Sequence, residues 1–221
     1  MASALVLGET MDFTYCIWDF NGTILDDVET GIRSVNTMLA KRNLPVIPSR
    51  AAYRELFRFP VMEYYRSLGF DFEREPYEDL AIEWVDLYLH HVREATLCPD
   101  VTETLAFFQK AGIRQVILSA TEKSMLRQQL SSLSLLPYFH EIMGRDDIHA
   151  GSKLDLAAAW RKRNPRVKAV FVGDTDHDVE AARAMGADCV LISCGHQSEA
   201  YLQTLGVPVY ASLGEWRKTL Q

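Results

Sequence analysis

Residues 14–23 read TYCIWDFNGT, an apolar run that passes into a turn after an aspartate. Aromatic and β-branched side chains before Asp19 favour an extended strand, and the pair Asn21-Gly22 favours a turn. We therefore predict a strand over residues 14–19 with a polar loop at its carboxyl end. A strand that is apolar along nearly its whole length is typical of a parallel sheet covered by helices on both faces.

Helical patterns follow this first strand, and strand patterns return after Pro99. Between Leu25 and Ala95 the sequence favours helices, the longest over about residues 26–41 and 76–94. Further strands are predicted at residues 115–118, 141–143, 169–172, 189–192 and 207–210, with helices between them. This order predicts an α/β fold: a Rossmann-like parallel sheet core with helices on both faces, plus an all-helical cap inserted after the first strand.

The same pattern divides the chain into two predicted domains. Residues 11–25 and 96–221 form the Rossmann-like catalytic core, and residues 26–95 form the helical cap domain. Residues 1–10 are predicted to be an N-terminal extension that belongs to neither domain. A chain of 221 residues is long enough for one well-cored domain with an insert of this size.

Composition excludes several classes of partner. A net charge of −7 disfavours a broad phosphate-binding surface, so nucleic acid is not an expected partner. The sequence lacks the run of roughly 18 apolar residues that a membrane span needs, and its start does not resemble a signal peptide. The four cysteines show no metal-ligand spacing and fit a reducing compartment. We therefore predict a cytoplasmic protein with no membrane partner.

Polar residues lie at the ends of the predicted strands or in the adjacent loops. Asp19 closes the first strand, Ser119 follows the next core strand, and Asp174 and Asp178 follow a later one. Lys153 begins a predicted helix. Because parallel strands bind ligands at their carboxyl ends, these residues are predicted to form one site.

The acidic residues of this site indicate a cation. Asp174 and Asp178 are one helical turn apart, and together with Asp19 they would repel one another in a partly dry cleft. Oxygen ligands with few protein groups suit Mg²⁺. The alternative for Asp178 is that it only caps a helix, where acids are favoured. Lys153 in a first helical turn opposes the helix dipole, which indicates an anion to be bound nearby.

Together these residues resemble the haloacid dehalogenase-like hydrolase superfamily and, within it, the phosphoglycolate-phosphatase-like branch. The resemblance covers residues 14–220, and the insert after the first motif resembles the mobile cap of that family. The four motifs appear in the expected order as Asp19-Phe20-Asn21-Gly22-Thr23, Ser119, Gly151-Ser152-Lys153, and Gly173-Asp174 with Asp178. Four motifs in order are far more specific than any one of them.

The resemblance implies a phosphatase that works through an aspartyl-phosphate. Asp19 would be the nucleophile, and Ser119 and Lys153 would hold the phosphoryl oxygens. The catalytic positions implied in this way are Asp19, Asn21, Ser119 and Lys153. A Mg²⁺ cofactor is also implied, and its ligands would be Asp19, the backbone carbonyl of Asn21, Asp174 and Asp178.

The implied substrate is a small phosphorylated metabolite, with phosphoglycolate as the family-level expectation. The resemblance places its phosphoryl group against Thr23, Ser119, Ala120 and Lys153. In the cap, Arg58 occupies the place of a loop that selects the substrate. Its guanidinium could bind a second anionic group of the substrate in bidentate fashion. The alternative is that Arg58 pairs with a glutamate on the cap surface.

Asn21 departs from the motif. Phosphatases of this family carry a second aspartate there, which protonates the leaving alcohol and then activates water. An amide cannot shuttle that proton, and losing general acid–base catalysis typically costs about 10²–10⁴-fold in rate. Three interpretations follow: a phosphatase that uses water or another group instead, a phosphoryl-transfer protein with a long-lived intermediate, and a phosphometabolite-binding protein with little turnover.

Two other activities of the superfamily are disfavoured. Dehalogenases also lack the second aspartate, but they work without a metal, so the pair Asp174 and Asp178 argues against that activity. Phosphonatase chemistry would need a Schiff-base lysine in the cap. Lys41 is the only lysine between Leu25 and Ala95, and it lies at the end of a predicted helix.

Overall fold

The computed structural model describes residues 11–145 and 152–221. The predicted extension at residues 1–10 and motif residue Gly151 lie outside the described residues. The strands are β1 (Tyr15–Trp18), β2 (Leu25–Asp26), β3 (Thr96–Leu97), β4 (Arg114–Glu122), β5 (Glu141–Arg145), β6 (Ala169–Gly173), β7 (Asp188–Ile192) and β8 (Val209–Tyr210). The helices are α1 (Val28–Lys41), α2 (Arg50–Leu56), α3 (Val61–Ser67), α4 (Tyr77–His91), α5 (Val101–Lys110), α6 (Lys123–Ser132), α7 (Lys153–Arg163), α8 (Asp176–Met185), α9 (Glu199–Leu202) and α10 (Leu213–Lys218).

Six of the strands form one parallel sheet in the order β5-β4-β1-β6-β7-β8. β1 lies in its interior, where Ile17 pairs with Val116 of β4 on one side and with Phe171 of β6 on the other. Successive residues of β1 enter different clusters: Trp18 packs with residues of α5, α6 and α10, and Ile17 packs with residues of α7 and α8. This alternation buries both faces of the sheet. The predicted α/β fold is confirmed.

The helical insert lies between two short antiparallel strands, β2 and β3, in which Leu25 pairs with Leu97. Its helices α1 to α4 share a hydrophobic cluster of their own, which includes Val28, Met38 and Leu80. These short strands coincide with the predicted edges of the cap, although the division into two domains stays a prediction. Among the described helices, none has the length and apolar character that a membrane crossing requires.

Three predicted boundaries are corrected. Asp26 is not helical, because it pairs with Thr96 and α1 begins two residues later. Asp19 lies just after β1 rather than within it. β4 continues past the predicted end at residue 118 to Glu122, with a shift in its register against β5. Ser119 therefore lies within an irregular part of a strand and not at its end.

Candidate active site

Parallel pairing brings the predicted site residues to one edge of the sheet. Asp19 follows β1 and Asp174 follows the adjacent β6, and the Asp19 N–H donates to the carbonyl of Val172 at 2.9 Å. Asp178 lies in the first turn of α8, and Lys153 is the first residue of α7, which packs against α8. Groups that are distant in sequence are thus neighbours because neighbouring parallel strands end together.

Three buried carboxylates form the centre of the site. Asp19, Asp174 and Asp178 each present an oxygen, and these three atoms lie within 4.8 Å of one another. The ammonium of Lys153, also buried, forms ion pairs with Asp19 and, at 2.5 Å, with Asp178. We call these four residues the carboxylate cluster. When all four are ionised, the cluster carries excess negative charge, which is unfavourable away from water unless protons or a cation bind.

Burial shifts the ionisation of the cluster. It raises the pKa of Asp19 to about 7, against the opposing effect of Lys153 and with a further contribution from Asp178. Burial also raises the pKa of Asp174 well above its usual value. Burial alone would lower the pKa of Lys153, but Asp178 and Asp19 outweigh it and raise that pKa. A metal ion would compete with protons here, because both bind the same carboxylate oxygens.

Asp178 makes contacts of two kinds. Its Oδ2 accepts hydrogen bonds from the backbone N–H groups of Asp174 and Thr175 at 3.0 and 2.9 Å and from the Thr175 hydroxyl at 2.8 Å, which caps α8. Its Oδ1 faces Lys153. Burial opposes ionisation, but Lys153 and these hydrogen bonds lower the pKa of Asp178 below its usual value. A metal bound directly to Asp178 would therefore compete with Lys153 for Oδ1.

The surroundings of Asp174 fit a small cation with oxygen ligands. Its Oδ1 accepts from the Thr23 hydroxyl at 3.1 Å, and its Oδ2 accepts from the backbone N–H of His196 at 2.7 Å. A Cβ atom at Gly22 or Gly195 would overlap the Asp174 side chain, so the close approach requires glycine at both positions. The grouped atoms that could bind a metal are carboxylate oxygens, the ligands that Mg²⁺ prefers. The residues present thus fit the predicted metal.

The residues predicted to hold the phosphoryl group differ in exposure. Thr23 is fully buried and its hydroxyl is engaged by Asp174. Ser119 is buried, and its Oγ accepts from the backbone N–H of Thr121 at 3.1 Å. Ala120, between Ser119 and Thr121, is exposed. Of this predicted group, Lys153 is the residue whose side chain contacts Asp19.

The amide of Asn21 is engaged at both of its ends. Its Nδ2 donates to Asp27 Oδ2 at 2.8 Å and to the Tyr88 hydroxyl at 2.7 Å. Its Oδ1 accepts from the Thr121 hydroxyl at 3.2 Å. Thr121 belongs to β4 and Tyr88 to the inserted helix α4, so the core and the insert both contact this side chain. Two donated hydrogen bonds and one accepted hydrogen bond distinguish the Nδ2 atom of the amide from its Oδ1 atom.

A second group of buried and half-buried polar residues adjoins the cluster, and sequence reasoning singled out only Asn21 among its members. We call Asn21, Asp27, Tyr53, Tyr88 and His196 the Asp27 network. The Nε2 atom of His196 lies 3.1 Å from Asp27 Oδ1, and its Nδ1 lies 2.9 Å from the Tyr53 hydroxyl. One signal could have indicated His196, since it lies in the loop after an apolar core strand, as Asp19 does.

His196 and Asp27, the two members of this network that are charged at neutral pH, balance each other. Burial opposes the charge on His196, but Asp27 outweighs it and raises the pKa of His196 to about 9. Burial likewise opposes the charge on Asp27, but His196 and the hydrogen bonds from Tyr88 and Asn21 lower its pKa. At neutral pH the pair is therefore an imidazolium and a carboxylate, with both ring nitrogens as donors.

Within residues 11–145 and 152–221, Arg58 forms no ion pair with a glutamate, the alternative considered for it above. Its guanidinium lies 3.7 Å from the centre of the Tyr201 ring, which belongs to α9 of the core. One of its nitrogens donates to the carbonyl of Phe57 at 2.6 Å and to that of Arg54 at 3.3 Å. Arg58 thus lies where the insert contacts the core, and its contact with a substrate stays a prediction.

The fold and the clustered carboxylates together define a class of enzyme. The sequence matches the haloacid dehalogenase-like hydrolase family over residues 16–192, and the chain belongs to that family. A phosphoglycolate phosphatase of Caulobacter vibrioides is 27% identical over 197 residues, covering 86% of this chain and 82% of the relative. The predicted membership of the phosphoglycolate-phosphatase-like branch is confirmed, and the enzyme class is phosphatase.

Two further known proteins are similar to this chain. The tyrosine-protein kinase PtkA of Mycobacterium bovis is 26% identical over 210 residues, covering 92% of this chain and 71% of the relative. A solved haloacid dehalogenase-like hydrolase of Streptococcus pneumoniae superimposes with a TM-score of 0.78, covering 95% of this chain and 99% of that one. At 19% identity, this last similarity shows the fold alone.

Proposed function

We propose that this protein is a Mg²⁺-dependent phosphatase that hydrolyses a small phosphate monoester through an aspartyl-phosphate on Asp19. The observation that carries the proposal is the carboxylate cluster, in which Asp19 lies beside Asp174, Asp178 and Lys153 in one buried group. The phosphoglycolate phosphatases among its relatives support a small acidic metabolite as substrate. The free cysteines are consistent with a cytoplasmic location.

The proposed reaction has two steps on Asp19. A carboxylate oxygen of Asp19 attacks phosphorus, the bond from phosphorus to the alcohol oxygen breaks, and the departing oxygen takes a proton from water, which divides one difficult displacement into two. Water then attacks the phosphorus of the aspartyl-phosphate, releasing inorganic phosphate and restoring Asp19. Lys153 pairs with the nucleophile, so its ammonium would lie beside the phosphoryl group on Asp19 and would offset the charge of the phosphoryl oxygens.

The metal would be held by carboxylate oxygens of Asp19 and Asp174 and by the backbone carbonyl of Asn21. Asp178 would orient a metal-bound water rather than bind the metal directly, because its Oδ2 caps α8 and its Oδ1 pairs with Lys153. Mg²⁺ bound there would supply positive charge against the phosphoryl oxygens. Arg58, at the contact between insert and core, is proposed to bind a second anionic group of the substrate.

Asn21 favours slow hydrolysis of the intermediate. Its amide cannot act as a general acid or base at neutral pH. Hydrogen bonds to Asp27, Tyr88 and Thr121 hold the amide in place, so a neighbouring acidic group cannot occupy the same position. Loss of general acid–base help costs about 10²–10⁴-fold. A second candidate function is therefore phosphoryl transfer to another acceptor, which the similarity to a protein named as a tyrosine kinase also favours.

One experiment tests the proposal and separates the two candidates. Phosphate release from a panel of phosphorylated metabolites is measured with Mg²⁺ and with EDTA, for wild type and for Asp19→Asn, followed by acid quenching to trap phosphoprotein. Metal-dependent release that vanishes in Asp19→Asn supports the phosphatase. Phosphoprotein that accumulates on Asp19 with little release supports transfer. Neither phosphoprotein nor release from any substrate would overturn both.

A further inference from the structure

Asp27 lies at the start of a helix but does not serve that helix. It directly precedes α1, the position at which an aspartate normally accepts a backbone N–H of the first turn. In the described structure the α1 N-terminus has no side-chain cap. The Asp27 carboxylate, 2% exposed, turns away from the helix and accepts hydrogen bonds from other parts of the chain instead.

Four donors saturate this carboxylate. Oδ1 accepts from the Gly22 backbone N–H at 2.9 Å and lies 3.1 Å from His196 Nε2. Oδ2 accepts from Asn21 Nδ2 at 2.8 Å and from the Tyr88 hydroxyl at 2.6 Å. A carboxylate with this many donors is held in one orientation, and removing it would take away the acceptor of the Tyr88 hydroxyl and of His196 Nε2.

The donors come from separate elements of the fold. Asn21 and Gly22 belong to the loop after β1, Tyr88 to the inserted helix α4, and His196 to the loop after β7. The backbone N–H of His196 donates in turn to Asp174 at 2.7 Å. Asp27 therefore contacts the nucleophile loop, the insert and, through His196, a neighbour of the carboxylate cluster. Its full set of hydrogen bonds forms only when the insert lies against the core.

We propose that Asp27 is a positioning residue that fixes the side chain of Asn21, and that positions 21 and 27 form one exchangeable pair of an amide and a carboxylate. The pairing stands on the hydrogen bonds alone, whereas its effect on turnover rests on the function proposed above. The carboxylate that the family motif would place at position 21 is thus present at position 27, 2.8 Å from the Asn21 amide.

The pairing has a consequence for the simplest repair of the motif. Asn21→Asp would set two carboxylates against each other across a distance now bridged by a 2.8 Å hydrogen bond. Like charges in a buried site repel strongly, and Asp27 would also lose one of its four hydrogen-bond donors. The single substitution would therefore damage the network rather than restore the acid–base group.

Exchanging both residues reverses the hydrogen bonds without breaking them. In Asn21→Asp/Asp27→Asn, the amide at position 27 would donate to the carboxylate at position 21. The Tyr88 hydroxyl, which now accepts from position 21 and donates to position 27, would do the opposite. The amide oxygen at position 27 would still accept from Gly22. Every group keeps a partner because a hydroxyl both donates and accepts.

The test is a double-mutant cycle with two independent readouts. Wild type, both single variants and the double variant are unfolded in urea with EDTA, and each is assayed with Mg²⁺ for phosphate release from the best substrate of the panel. Asp26→Asn with and without Asn21→Asp is the matched control, because Asp26 is the adjacent carboxylate but pairs with Arg50 at 2.8 Å.

We expect Asn21→Asp to raise the unfolding equilibrium constant about tenfold or more, and the double variant to return it to within about threefold of wild type. Phosphate release by the double variant should exceed that of wild type and of both single variants by about tenfold or more. Independent effects of the two substitutions on unfolding, or an equal rescue by Asp26→Asn, would overturn the pairing. Coupled unfolding without phosphate release in any variant would support the pairing and overturn the proposed function.

Discussion

The carboxylate cluster and the Asp27 network are adjacent groups of polar side chains with little exposure to solvent. They differ in how their charges are balanced. The cluster holds three carboxylates against one ammonium. The network holds one carboxylate against one imidazole that burial and Asp27 together leave with a pKa of about 9, and its remaining members are neutral. The two regions meet where the backbone N–H of His196 donates to Asp174.

This difference indicates what each region is for. A buried group with excess negative charge stays fully ionised only if a cation binds to it. The protein residues alone therefore do not balance the charge of the carboxylate cluster. A balanced and fully hydrogen-bonded group needs nothing further and is suited to hold other parts in place. We therefore expect the cluster to respond strongly to metal and the network to respond weakly.

The largest effect is expected from removing the ammonium of the cluster. Lys153→Met would leave three buried carboxylates without their cation, and loss of one partner of a buried ion pair costs about 3–5 kcal/mol. We expect a loss of stability of that order in urea unfolding with EDTA, and loss of phosphate release. Mg²⁺ should recover part of the stability.

The matched control for this variant is Lys168→Met. Lys168 also pairs with an aspartate, Asp12, but both side chains are largely exposed, at 66% and 88%. Exposed ion pairs contribute little to stability. If the two variants lost equal stability, the carboxylate cluster would not be the buried group with excess negative charge described above.

The next effect is the dependence of metal stabilisation on pH. Asp19, with a pKa of about 7, and Asp174, with a raised pKa, bind protons in the folded state that the unfolded chain has already released. Stability without metal should therefore fall as pH rises from about 4 to about 7. Mg²⁺ at about 100 times its dissociation constant adds about 2.7 kcal/mol.

The measurement is the shift in melting temperature with Mg²⁺ at pH 5.5 and at pH 8. The shift should be larger at pH 8, because fewer protons then compete for the same oxygens. In Asp174→Asn the shift should nearly vanish at both pH values. A larger shift at the lower pH would contradict the assignment of these carboxylates to the metal.

A smaller effect is expected in the Asp27 network. His196→Gln removes the charged partner of buried Asp27, at a cost of about 1–3 kcal/mol near neutral pH. Because Asp27 raises the pKa of His196 to about 9, the stability from this pair is full below the unfolded pKa of about 6.5 and is lost as pH rises through about 9. At the acid end it is lost as Asp27 is protonated.

Urea unfolding of wild type and His196→Gln at pH 6, 8 and 10 checks this sign. The two curves should differ most at pH 6 and converge at pH 10. The variant should keep the wild-type response to Mg²⁺, since the contact of His196 with Asp174 is made by its backbone. A difference that grew with pH would contradict the ion pair.

The smallest effect concerns Arg58. We expect Arg58→Ala to raise KM about fivefold, or about 1 kcal/mol, for substrates with a second anionic group and to leave aryl phosphates nearly unchanged. The stack on Tyr201 holds the guanidinium at the contact of insert and core, with donors left over for an anion. Arg66→Ala, which removes an exposed cap arginine paired with Glu63, is the control. Equal effects on both substrates would contradict the proposed contact.

Local sequence determined the architecture and the cluster. An apolar strand that ends in Asp19, a second that ends in Gly173-Asp174, and a helical stretch between Leu25 and Ala95 are patterns of neighbouring residues. Periodicity and residue type are local properties, so the succession of strands and helices along the chain and the grouping of acidic residues at the carboxyl edge followed from them, whereas the order of the strands within the sheet did not. The ends of elements followed less well, as at Asp26 and β4, because pairing with a distant strand decides where a strand stops.

Only the tertiary structure decided what Asn21 contacts. In sequence it is a missing aspartate, and in the fold it is the donor to Asp27. Tyr88 and His196 reach that carboxylate from 61 and 169 positions away. Neither shows a pattern of its own, because a hydrogen bond between elements depends on where two side chains point after the helices and strands have packed. Residue types and spacing along the chain determine which elements form, whereas packing determines which polar groups meet.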